Sequence, residues 1–175
     1  MDVFFRNRKT PGNRAQAMVE FAIVAPILFL MLFGVIEVGR MIFLYAAVTN
    51  ASREAVRFGS AVGYDDTGVI KYKHCAAIRD VARRASYFTN IPDSNIVIGY
   101  TSGTNATPYA LCSGSVYAGY VPDGDRVMVQ VTGQYTPYIR LVPWGPRAFT
   151  AKSYRTILGY VALTSTPNGS GGGGG

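Results

Sequence analysis

Residues 21–36 include no charged side chain, and the apolar character extends over 17–38 if Glu20 and Glu37 are accepted near its ends. At a rise of ~1.5 Å per residue this run makes roughly 33 Å of helix, enough to cross a hydrocarbon core of about 30 Å. The pattern then changes without a glycine or proline from residue 41 to Gly59. Asn50, Arg53, Glu54 and Arg57 recur at helical spacing, leaving Phe43, Ala47, Ala51, Ala55 and Phe58 for another face. The expectation is one continuous helix over about 16–61, roughly 70 Å long and bent at Pro26, which lacks a backbone donor and crowds the preceding turn.

Turn-forming Asp65, Asp66 and Thr67, flanked by Gly63 and Gly68, end this helix. A second helix is predicted over 71–88, with Ile78, Val81, Ala82, Ala85 and Phe88 on its apolar face and Arg79, Asp80, Arg83 and Arg84 opposite. Strands are predicted over 95–101, 126–135 and 149–161, which are rich in Val, Ile, Tyr and Thr. Val127, Val129 and Val131 alternate with Met128, Gln130 and Thr132, as in a sheet with one packed face. Residues 102–121 and 136–147 read as loops, the second carrying Pro137, Pro143, Trp144 and Pro146. The predicted organisation is a basic cytoplasmic tail or leader over 1–15, a transmembrane helix over 16–39 and a helical stalk over 40–62. An α+β head with a small antiparallel sheet follows over 63–166, and a disordered Gly-rich tail over 167–175.

Composition sharpens the picture. Hydrophobic residues make up 49% of the 175 and charged ones 15%, against about 25% charged in an ordinary soluble domain. The formal charge is +7, but its Lys and Arg residues form no dense stripe, which argues against a nucleic-acid partner and for an anionic membrane surface or acidic partner. Arg6, Arg8, Lys9 and Arg14 precede the apolar run, whereas Arg40, Arg53 and Arg57 are spread beyond it. That asymmetry predicts a single-pass protein with its N-terminus cytoplasmic and its C-terminal domain outside. Two other origins of such a run are a buried core helix and a cleaved signal peptide. The first rarely fits a domain this small, and the second has a shorter apolar region and a small-residue cleavage site.

Candidate chemistry is sparse. The two cysteines, Cys75 and Cys112, would in an oxidising compartment close a loop of about 38 residues and stabilise the fold by roughly 4 kcal/mol. With one histidine, His74, no metal or other cofactor is expected. No nucleophile, base and orienting partner converge, so no enzyme activity is expected. Glu20 stands inside the apolar stretch, where a carboxylate is costly; it either pairs with a cation of a neighbouring subunit or reaches water at the headgroup boundary. Glu37 and Arg40, three apart on one helical face, are expected to pair at the outer interface. Gly34 and Gly39, with the alanine-rich outer helix, are candidates for close helix packing.

Three stretches carry a resemblance: residues 16–26 (QAMVEFAIVAP), 33–40 (FGVIEVGR) and 49–57 (TNASREAVR). Together they resemble the TadE-like family, pseudopilin-type proteins associated with bacterial tight-adherence (Tad, or Flp) pili. The resemblance implies a pilin-like fold and an inner-membrane protein of pilus biogenesis, a minor pilin or assembly subunit. Its implied partners are other pilin-type subunits, the assembly machinery and membrane lipid. It also implies cleavage by a prepilin peptidase between Ala15 and Gln16, which would make Glu20 the fifth mature residue. Here Ala15 stands where that pattern has glycine, and Gly12 lies three residues earlier; an uncleaved chain would keep Arg6 to Arg14 as a cytoplasmic anchor. The residues expected to serve assembly are Glu20, Pro26, Gly34, Glu37, Gly39 and Arg40. The alternative from the binding class is a membrane-tethered adhesin or sensor using Tyr109, Tyr117, Tyr120 and Trp144.

Overall fold

A computed structural model describes residues 12–138 and 145–158. Its elements are helix α1 (Gly12–Gly59), helix α2 (Cys75–Ala85) and strands β1 (Ile96–Thr101), β2 (Ala110–Leu111), β3 (Arg126–Tyr135) and β4 (Arg147–Thr156), with short 3-10 turns before and after α2. This is an α+β chain: a long N-terminal apolar helix and a small four-stranded antiparallel sheet. It divides into two compact units, one made of residues up to Phe43 with Thr136–Pro146, the other of Leu44–Tyr135 with the residues from Arg147 onward.

In the first unit α1 is apolar all round. Phe21, Ile23, Ile27, Leu28, Leu30 and Met31 are all exposed, and consecutive exposed positions cover every face of a 3.6-residue turn. Such a surface has no polar stripe to offer water. Pro26 lies inside the helix. The described residues contain one helix long and apolar enough to cross a membrane.

In the second unit the strands run β2-β1-β3-β4, every neighbour antiparallel. Ile98 pairs with Val129, and Val129 with Ser153. One face of the sheet therefore presents Ile96, Ile98 and Tyr100 from β1 and Val127, Val129 and Val131 from β3, all buried. Leu44, Val48, Ala51, Ser52, Ala55 and Val56 of α1 are buried in the same unit, a stripe at helical spacing. Gly133 marks the closest approach: a Cβ built there would lie 2.6 Å from Val48 Cγ2 and 3.0 Å from Leu44 Cδ1. The hydroxyls of Ser52 and Ser153 meet at 2.9 Å, so neither is left unsatisfied in the core. Cys75, Ile78 and Ala82 bury one face of α2.

Several expectations are corrected. The buried stripe of the outer helix is rotated from the predicted one: Ala51 and Ala55 belong to it, but Phe43 is 53% exposed while Leu44 and Val48 are buried. Burial of Ala51 and Ala55 within their own unit also removes them from the surface that lateral helix packing was expected to use. The helix predicted over 71–88 is narrower, because His74 (φ −83°, ψ 78°) is not helical and separates the 3-10 turn Lys71–Lys73 from α2. The last strand is Arg147–Thr156 where 149–161 was expected. The loop over 102–121 contains β2, which extends the sheet beyond β1 at Gly99↔Leu111 and Tyr100↔Ala110. The sheet is also covered in part on its second face. Met128 is buried, and a Cβ on its partner Gly99 would meet Pro108 at 2.8 Å, which shows how closely the loop lies over it. The basic tail before Gly12 and the Gly-rich tail lie outside the described residues.

Candidate functional site

Along the exposed half of α1, the predicted positions differ in what surrounds them. Ala15, Gln16 and Glu20 are exposed. Gly34 and Gly39 have no atom within 4 Å of an added Cβ, so their surfaces are open to a neighbouring helix. Pro26 is exposed as well.

Glu37 is different, being 8% exposed although it sits at the end of the apolar run. Its Oε2 accepts from Arg40 Nη1 at 3.0 Å, and its Oε1 accepts the backbone N–H of Tyr138 at 2.7 Å. The Arg40 guanidinium lies over the Tyr138 ring, 3.6 Å from its centroid, a stacked geometry suited to a planar cation. Glu37 thus uses both carboxylate oxygens to tie the β3–β4 connection to α1. Sequence reading pairs Glu37 with Arg40 but misses Tyr138, because a contact across 101 residues leaves no local periodicity.

In the second unit, Cys75 and Cys112 are joined by a disulfide with Cα atoms 6.3 Å apart. It ties the first turn of α2 to the loop after β2, where Arg79 also donates to the carbonyls of Cys112 and Gly114. The turn before α2 is organised by Asp65. Its Oδ1 accepts from Thr67 N–H at 2.9 Å, Thr67 Oγ1–H at 2.7 Å and Val69 N–H at 3.1 Å, and its Oδ2 meets His74 Nδ1. The His74 hydrogen bond, then those of Thr67 and Val69, hold the Asp65 carboxyl well below the usual carboxylate range, against an opposing effect of burial. Gly68 (φ +78°) closes this turn, its N–H bonded to Asp65 O at 3.0 Å.

The tyrosines of the alternative reading are partly committed to the fold. Tyr109 donates to Asp125 Oδ2 at 2.8 Å, and the Tyr117 ring packs on Tyr100 with centroids 4.5 Å apart. Tyr100 in turn donates to Tyr72 O at 2.6 Å, and burial raises its hydroxyl pKa. Tyr120 is 81% exposed. Trp144 lies outside the described residues. Among the described residues no three His, Cys, Asp or Glu side chains gather to hold a metal ion.

Helix α1 thus joins an exposed apolar half, with Glu20 within it, to a half whose stripe from Leu44 to Val56 is buried. Residues 15–57 match the TadE-like protein family model. No curated protein and no solved structure matches the chain. The TadE-like segment ends two residues before α1 does, so the likeness covers the helix alone, including Glu20, Gly34, Glu37 and Arg40. The TadE-like family is one of structural proteins associated with Tad pili; the apolar helix of the present chain is by length and composition suited to a single-pass membrane anchor.

Proposed function

We propose that this chain is a minor pilin, pseudopilin or assembly subunit of a tight-adherence pilus, anchored in the bacterial inner membrane with its N-terminus cytoplasmic and the sheet-containing unit outside. The observation that carries this reading is the coincidence of the TadE-like match with a helix whose large apolar side chains are exposed on all faces from Met18 to Ile36. A surface of that kind is stable against lipid or against similar helices, and it has no use in water.

In this reading the protein works by assembly. Gly34 and Gly39 let a neighbouring helix approach closely, and Glu20 sets axial register because an unpaired carboxylate in hydrocarbon is expensive. Its partner is a cation on an adjacent subunit, such as the amino group that prepilin peptidase would free at Gln16. The disulfide of the sheet-containing unit suits an oxidising compartment, which supports this orientation.

Substituting Glu20 by Gln tests the assignment. The expected result is loss of pili with the protein still inserted in the membrane at normal level; full piliation would refute the role given to Glu20. Intact mass of the protein from native membranes then reads the leader directly, with Gln16 as the first residue after processing and Met1 in a retained tail.

A further inference from the structure

The Glu37, Arg40 and Tyr138 cluster has a depth as well as a geometry. The apolar run over 17–38 has its midpoint near Leu28. At ~1.5 Å per residue, Glu37 lies about 13 Å and Arg40 about 18 Å along the helix from that point. These values straddle the half-thickness of a bilayer's hydrocarbon core, about 15 Å. Tyr138 is bonded to Glu37 through its backbone and stacked on Arg40 through its ring, so it is held at the same level. It is nevertheless 80% exposed. An exposed tyrosine beside an arginine at this depth has the chemistry of the interfacial zone, where an aromatic body meets the acyl boundary and polar tips meet headgroups.

We propose that the start of the β3–β4 connection is a second membrane contact, seated in the headgroup layer by Glu37 and Arg40, with phospholipid as the partner of Tyr138. The inference rests on the anchored reading above and adds to it that the chain returns to the bilayer about 100 residues after leaving it. Glu37 is the positioning residue. Its two hydrogen bonds keep a carboxylate satisfied at the edge of hydrocarbon and fix Tyr138 there, while the Arg40 guanidinium stays within reach of a lipid phosphate.

Trp144 is the only tryptophan, so Trp144→Phe gives a silent background for fluorescence. In that background, Tyr138→Trp and, separately, Phe29→Trp are placed in the full-length chain. Each is reconstituted in vesicles of phosphatidylethanolamine and phosphatidylglycerol carrying bromine near the headgroup or near the chain ends. The expected result is blue-shifted emission from the Tyr138→Trp chain, quenched more by shallow than by deep bromine, with the reverse preference in the Phe29→Trp chain. Adding Glu37→Ala is expected to abolish lipid quenching of the indole at position 138 and leave that at position 29 unchanged. If the indole at position 29 is quenched by bromine while the one at position 138 is quenched only by aqueous iodide, the second contact is refuted and the anchor stands. If neither is quenched by lipid, the anchored reading itself falls. Persisting lipid quenching at position 138 once Glu37→Ala is added overturns the positioning role of Glu37.

Discussion

Single side chains decide where the two halves of α1 change partners. Gly133 permits the helix to lie against β3, and any larger residue must displace Val48 or Leu44. Gly133→Val is therefore expected to destabilise the sheet-containing unit by about 1–3 kcal/mol, the usual cost of overpacking a filled core. Thermal unfolding of the full-length protein in detergent, followed by circular dichroism, measures it. Asp65 sets a pH dependence of known sign. Its folded pKa is depressed below the unfolded value of ~3.9, so its contribution is complete above that value and lost as pH falls through the acid range. From about pH 4 downward the stabilisation of the wild-type turn over 63–74 should fall away progressively, seen as declining amide protection factors there once the intrinsic exchange rate at each pH is divided out. Asp65→Asn should show those lowered protection factors already at neutral pH and little further change in them on acidification.

Among the elements, β3 is legible from the sequence with both its bounds, because Val127, Val129 and Val131 alternate with more polar neighbours and flanking turns close the run. β4 is misplaced because its ends are set by its partner: Arg126 pairs with Thr156 and Tyr135 with Arg147, and neither Arg147 nor Ala148 announces a strand. The buried stripe of α1 is misjudged for a related reason. Residues 41–48 are all apolar or aromatic, so periodicity selects no face, and the choice is made by Gly133 and the sheet. Glu37 and Arg40 are legible as a pair, whereas Tyr138 depends on a long-range return of the chain. The pairing of Cys75 with Cys112 joins α2 to the loop that follows β2 across 37 residues. Replacing both by Ala is expected to lower stability by roughly 4 kcal/mol, by the loop-closure entropy released in the unfolded chain. Comparing midpoints of unfolding in denaturant for the two proteins in the same detergent checks it.

At the scale of the molecule, everything depends on which medium solvates the exposed half of α1. The second unit fills its own core with Leu44, Val48, Ala51 and the β1 and β3 side chains. The run from Phe21 to Leu32 stays exposed on all sides, more apolar surface than a soluble protein shows in one patch. Pilus assembly, lateral packing through Gly34 and Gly39, and the headgroup seat of Tyr138 all follow only if that surface meets lipid or like helices. Alkaline carbonate extraction of membranes carrying the full-length chain tests this most directly. The protein should stay in the membrane pellet and be released by detergent; release into the carbonate supernatant as a monodisperse, detergent-free monomer would contradict the account.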